Sequence, residues 1–385
     1  MQFMGYQREN HTFGARKHIL ILPSVVCSNH VADQIAKKVK LAVPFCHANG
    51  CGQLGVDREQ TLCTLIGAGK NPNVAAVLIV GLGCESLPTA ALYEEIKSTG
   101  KRLSYINIQD EGGTVRTIEK GIKIASSWSE DIQKEKRVPV KISELTIGLE
   151  CGGSDATSGL FANPVLGYVS DIIVENGGTS ILSETPEFIG AEHILAKKAC
   201  SSKIAKKIYQ IVNDVENKAK EMKVDMRVTQ PSPGNQKGGI TTIEEKSLGC
   251  IAKAGHSSIQ EVVSYARTPR KKGLIIMDTT GFDVESITGM ISGGAQLVLF
   301  TTGRGTPVGS PITPVIKITG NKKTYLKMFD DFDFSTADLI NEEKTIKMMG
   351  NQLMEEIISV ASGKNTQSEK LGHYEVGITR IGPSI

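Results

Sequence analysis

Short, unbroken apolar runs that end in glycine or small polar residues recur along this chain, and no other feature narrows its fold as far. HILIL (18–22), AAVLIVG (75–81), LTIGL (145–149), GLIIM (273–277) and QLVLF (296–300) are the clearest. A run of this length suits a strand covered on both faces, as in a parallel sheet layered by helices. Helix candidates lie between them at 28–40, 57–70, 112–128, 194–223 and near 342–361. The alternation predicts an α/β fold: two α/β domains with mostly parallel sheets and site-bearing loops at the strand carboxyl ends. The charged, proline-containing stretch EDIQKEKRVPVK marks the boundary. It divides the chain into a first domain at 1–130, a linker at 131–141 and a second domain, with the main catalytic motifs, at 142–385. DIIVENGGTSIL (171–182) reads as strand, glycines, strand, and 231–255 reads as one long functional loop.

Composition excludes several classes. Net charge is only +3, Lys and Arg are scattered, and aromatics make up 5% with a single tryptophan, Trp128. That argues against a nucleic-acid surface. No apolar run reaches transmembrane length and the N-terminus lacks a signal-peptide layout, so no membrane association and a cytoplasmic location are expected. Eight cysteines without close paired spacing suit free thiols or metal ligands in a reducing compartment, not a disulfide framework.

Chemistry concentrates in LECGGSDATSGLFANPVLG (149–167), which packs Glu150, Cys151, Ser154, Asp155 and Asn163 around the pair Gly152–Gly153. Glycines there permit turns and close ligand approach. Cys51, Cys84 and Cys151 each follow a predicted strand and sit beside glycine. Loops at the carboxyl ends of parallel strands share one crevice, so these thiols could converge with His47, Glu85, Glu150 and Asp155. Such a set suits an iron-like divalent metal or, with three thiolates, an iron–sulfur cluster with one open iron. Arg304, between two glycines in TTGRGTPVGSP, is suited to hold an anion such as a carboxylate. GLGCES lacks the third glycine of a dinucleotide site, and GNQKGG lacks the spacing of a phosphate loop.

HANGCGQLG, VGLGCE, LECGGSDATSGLFANPVLG, SETPEFIGAEH, PSPGNQKGGITTIEEKSLGC and LFTTGRGTPVGSP occur in this order. Together they closely resemble the altronate/galactarate dehydratase family of hydro-lyases, from about Gly5 to past Pro314. Two positions depart from that pattern: Lys17 stands where the family usually has Asn, and His11 where it often has Gly. The resemblance implies a cytosolic, metal-dependent enzyme that removes water from a sugar acid to give a 2-keto-3-deoxy acid. Iron(II) is the implied metal, with manganese as the alternative and a cluster left open. A related branch, the sulfolactate sulfo-lyases, releases sulfite instead, and a non-catalytic ligand-binding paralogue is a third reading. Single-chain members carry a small SAF-type domain ahead of the segment that begins here at Gly5. The resemblance therefore implies the large subunit of a split enzyme with a separate small SAF-domain partner, and an oligomer is expected. The site residues it implies are His47, Cys51, Cys84, Cys151, Glu150 and Asp155 around the metal. Ser154, Asn163, Asn235, Thr302 and Arg304 would bind substrate, and Lys246, Glu245 and His193 are the candidates for the catalytic base.

Overall fold

The computed structural model describes residues 1–341 and 344–385. β1 (Gln2–Gln7) and β2 (Phe13–Gly14) pair antiparallel as a lead-in. β3 (His18–Pro23), β4 (Ala42–Pro44), β5 (Val74–Gly81) and β6 (Arg102–Asn107) form a parallel sheet in the order β4-β3-β5-β6. β7 (Val138–Lys141) returns to pair antiparallel with β1. The stretch 131–141 thus holds the end of the helix Thr114–Ile132 and then a strand.

The second sheet has seven strands: β8 (Thr146–Gly152), β9 (Thr179–Leu182), β10 (Ile259–Val263), β11 (Gly273–Met277), β12 (Leu297–Thr302), β13 (Val315–Thr319) and β14 (Phe334–Ser335). All pairs are parallel, in the order β10-β11-β9-β8-β12-β13-β14. The fold is therefore mixed α/β with two parallel sheets. The apolar runs became its strands because every residue of β11 and β12 is covered on both faces.

From β8 the chain adds β9 on one side and later β12 on the other. β8 is therefore a topological switch point, and the loops flanking it splay apart at its carboxyl end to leave a crevice. That places residues 150–155 where a site is expected on topology alone.

The two sheets share one apolar core. Leu20, Leu22, Val77 and Ile79 pack with Ile275, Met277, Val298 and Phe300. Between them the helices Gly55–Lys70 and Asp283–Ser292 meet at Gly67, where a Cβ would run into the Ser292 backbone. Asn71 Nδ2 clamps the junction by donating to the Ile291 and Ala295 carbonyls, both at 2.9 Å.

Two local expectations are corrected. DIIVE is the end of the helix Asn163–Glu175, not a strand, because Val165, Leu166, Val169 and Ile173 recur at helical spacing on its buried side. The 231–255 stretch is largely helical. Pro233–Lys237 starts with Ser232 in a capping box with Asn235, and Ile243–Ile251 starts with Thr242 accepting from the Glu245 N–H. These caps outweigh the glycine and proline content that suggested a loop. The last long helix runs Ile346–Ala361; the expected start near 342 lies outside the described residues.

Candidate functional site

β8 ends in Glu150 and Cys151, both buried. The turn after β9 brings Ser183, Glu184 and Glu187 beside them. Glu184 adopts a left-handed backbone (φ 71°) that non-glycine residues seldom take, and its carboxylate accepts from the Cys151 N–H at 3.0 Å. Asp283, in the first turn of the helix after β11, completes a set of acids. One oxygen each of Glu150, Glu184 and Asp283 lies within 4.8 Å of the other two. Gly152 makes this approach feasible, since a Cβ there would strike the Asp283 carboxylate.

A second set adjoins the first. Cys151, Glu187 and Cys250 also have ligand atoms within 4.8 Å of one another. Cys250 and Lys253 come from the helix Ile243–Ile251 and the turn after it. The Lys253 ammonium is fully buried and joins the two sets. It binds Glu184 Oε2, donates to Cys250 Sγ at 2.9 Å, and lies 3.8 Å from Glu187. Lys246 pairs with the other Glu187 oxygen at 3.2 Å.

Burial sets the electrostatics. It pushes the Glu150 carboxyl up to about 8, with Asp283 adding to the push, and raises Glu184 as well. Burial also lifts Asp283 to about 6. Cys151 moves the other way, to about 6, because hydrogen bonding from Cys250 and the Lys253 charge outweigh its burial. Glu187 stays below the usual carboxylate range despite burial, since Lys246 and Lys253 hold it ionised. Glu187 in turn keeps Lys246 protonated.

A cavity of about 530 Å³ reaches the cluster at Lys246 and Cys250, and Ser154 and Asn163 also line it. Asn163 donates to the Cys151 sulfur (3.4 Å) and accepts from Thr301 (2.6 Å), which fixes its amide. Asn235 donates to the Ser154 carbonyl at 2.9 Å. Asp155 also borders the cavity, but its carboxylate accepts from Thr157, Ser158 and Asn321 and ties the loop together. Thr302 is buried and accepts from the backbone N–H groups of Arg304 and Gly305, while Arg304 is exposed and donates to the Gly234 carbonyl at 3.3 Å.

Of the six residues expected around a metal, Glu150 and Cys151 enter these sets. His47, Cys51, Cys84 and Asp155 enter neither set among the described residues. His47 is buried on the first sheet, with Nε2 on the Pro23 carbonyl (2.9 Å) and Nδ1 accepting from the Asn49 N–H (3.1 Å); burial lowers it to about 4. Cys51 and Cys84 are exposed. Of the base candidates, Lys246 meets the cluster. Glu245 accepts from the Thr241 N–H and hydroxyl, and its carboxylate is held low by them; His193 is exposed on the helix Glu192–Lys197. Sequence reasoning did not select Glu184, Glu187, Cys250, Lys253 or Asp283. The first two stand in a polar cluster directly after a strand, which was a usable signal. Lys253 carries none.

The residues present suit a divalent cation. Glu150 Oε1 and Glu184 Oε1 are buried and accept no hydrogen bond, and a buried acceptor without a donor is costly unless a cation or water satisfies it.

A parallel α/β sheet with a buried carboxylate–thiol–lysine cluster at its switch point, next to a cavity lined in part by Lys246 and Cys250, has the make-up of an enzyme active site. Residues 142–384 match the D-galactarate/altronate dehydratase C-terminal family, and residues 5–133 match the second domain of D-galactarate dehydratase/altronate hydrolase. The altronate dehydratase of Bacillus subtilis is 36% identical across 100% of this chain and 78% of its own length. That of Escherichia coli is 36% identical across 99% of this chain and 78% of its own. The (2R)-sulfolactate sulfo-lyase subunit beta of Chromohalobacter salexigens is 34% identical, covering 98% and 97%. The chain belongs to the D-galactarate/altronate dehydratase family, and so to the hydro-lyases. No helix among the described residues is long and apolar enough to cross a membrane.

Proposed function

We propose that this chain is a metal-dependent dehydratase of a sugar acid, acting as the large subunit of a split enzyme. The observation that carries the reading is the buried cluster with two orphaned carboxylate oxygens, two members of which, Lys246 and Cys250, line a cavity of about 530 Å³. The ion would be held by acidic residues of that cluster. A bound divalent cation supplies Lewis-acid polarisation of the substrate carboxylate, which acidifies the proton on C2.

The chain's own residues supply the rest. Ser154 and Asn163 face the cavity and bind substrate hydroxyls; Asn235 positions Ser154 through its carbonyl. Thr302 shapes the 303–305 turn that presents the exposed Arg304, which is suited to hold an anionic end of the substrate. Lys246 is kept charged by Glu187, so it is suited to donate a proton to the hydroxyl leaving C3. Glu245, which lines the same cavity as a carboxylate, takes the C2 proton; departure of the C3 hydroxyl as water leaves an enol, which tautomerises with proton return to C3 to give the 2-oxo acid. The first-sheet residues His47, Cys51 and Cys84 act outside this centre in our reading. Likeness to a protein named as a beta subunit supports a separate small partner.

The test is formation of a 2-keto-3-deoxy acid from altronate, galactarate or related acids, with iron(II) and the small SAF-domain subunit supplied. Absence of product from every sugar acid overturns the reading. The same likeness favours a second reading, and sulfite released from sulfolactate would establish it in place of the first.

A further inference from the structure

The two ligand sets differ in whether their atoms already have partners. In the thiol set every ligand atom is engaged. Cys151 Sγ meets Ser154 Oγ at 3.2 Å and Asn163 Nδ2 at 3.4 Å. Cys250 Sγ bonds Glu187 Oε2 and receives from Lys253 Nζ. Glu187 Oε1 is paired with Lys246. A cation entering there would have to displace an ammonium that is itself 0% exposed.

The carboxylate set is the reverse. Glu150 and Glu184 are both 0% exposed and within hydrogen-bonding reach of each other, yet among the described residues one oxygen of each receives no hydrogen bond from any other group. Ser183 and Ser286 donate to Glu150 Oε2 (3.3 and 2.7 Å), and Cys151 N–H and Lys253 to Glu184 Oε2. The donors thus hold one oxygen of each acid, and one oxygen of each lies within 4.8 Å of an Asp283 oxygen. Asp283 is the one member of the set that is only partly buried.

We infer that the metal centre of this chain is the all-carboxylate set Glu150, Glu184 and Asp283, and that Lys253 closes the thiol set as a built-in cation. This rests on the metal-dependent reading above. Oxygen-only ligands make the site hard, suited to iron(II), manganese or magnesium and not to thiolate-seeking ions. Lys253 is then a positioning residue: it fixes Glu184 and keeps Cys250 away from the metal.

Cobalt(II) loaded into the full-length protein under anaerobic conditions tests this, since a thiolate ligand adds an intense near-ultraviolet charge-transfer band and carboxylates do not. We expect a single equivalent of cobalt without that band. Glu184→Gln should weaken cobalt binding at least tenfold, an order-of-magnitude figure for loss of one ligand, while Cys250→Ser leaves it unchanged. Lys253→Met should make the thiolate band appear. A thiolate band in the unmodified protein overturns the assignment, and that measurement needs no variant to fold. Sugar-acid dehydration by the same sample separates the two ideas. Turnover with the thiolate band leaves the functional reading standing and removes only this site. Cobalt bound without the band, but no turnover of any sugar acid with the small subunit present, does the opposite. Failure to bind cobalt overturns both the site and the metal dependence.

Discussion

At the scale of single residues, the site is a problem of excess negative charge in a dry place. Lys253 and Lys246 offset part of it, and Glu187 is the acid they hold ionised. Lys246→Met should therefore lower kcat by about 10²–10⁴, the usual worth of a positioned proton donor, and also lower the unfolding midpoint, since buried Glu187 loses one of its two cations. Steady-state rates beside a thermal melt check this, and unchanged kcat would remove Lys246 from the chemistry. Gly152→Ala should push Asp283 away from Glu150. We expect a loss of about 1–3 kcal/mol from overpacking together with reduced metal content, read from denaturant titration and elemental analysis.

At the scale of elements, the helix Ile243–Ile251 presents Lys246 and Cys250 to the cavity, and its start is fixed by Thr242. Thr242→Ala should cost about 1 kcal/mol of stability and, by letting the first turn fray, lower activity as well. Urea unfolding and rate measured on one preparation would show the two falling together. This helix also shows what could be read from the sequence. The sequence carries a capping pattern, Thr242 followed by Glu245, beside the glycines and prolines that suggest a loop. The strands were legible because burial on both faces leaves an unbroken apolar run. Glu150, Cys151, Ser154 and Asn163 were legible for a related reason: they follow such a run within one stretch of chain. Asp283 and Lys253 were not. Each reaches the cluster only through the order in which strands are laid beside β8, and locally one reads as a helix-start acid and the other as a surface lysine. Cys51 and Cys84 share the local pattern of Cys151 but belong to the other sheet, a distinction carried by topology and not by spacing.

At the scale of the whole molecule, distant parts of the chain are tied by buried polar groups. Arg16, in the lead-in to β3, grips Glu369 through Nε (2.6 Å) and Nη2 (2.8 Å), both side chains largely shielded from solvent. Burial pushes the Glu369 carboxyl up, but the hydrogen bonds and charge of Arg16 outweigh it and hold it below the usual range. A carboxyl lowered in this way stabilises the fold at pH above its unfolded value, about 4.3; that contribution is lost as pH falls through the folded value. Glu369→Gln should cost about 3–5 kcal/mol at neutral pH by leaving Arg16 buried without its partner. The penalty should shrink only as pH falls through the lowered folded value of Glu369, where the parent also loses its charge. Melts across that range decide it; a penalty independent of pH would mean that Arg16 is satisfied by its backbone acceptors alone.

The pairing of β1 with β7 has a consequence for how the protein is made. β1 leaves the ribosome ahead of β3–β6, but its partner follows only after the whole β3–β6 sheet has been synthesised, and the partner of Arg16 comes later still. The leading strand therefore waits as an open edge, the kind of surface that pairs with the wrong neighbour. The face of the first sheet that packs under β11 and β12 waits with it. Ribosome-stalled chains ending before residue 138 should accordingly be cut by protease within residues 1–16 while β3–β6 resist, and chains released at that length should aggregate.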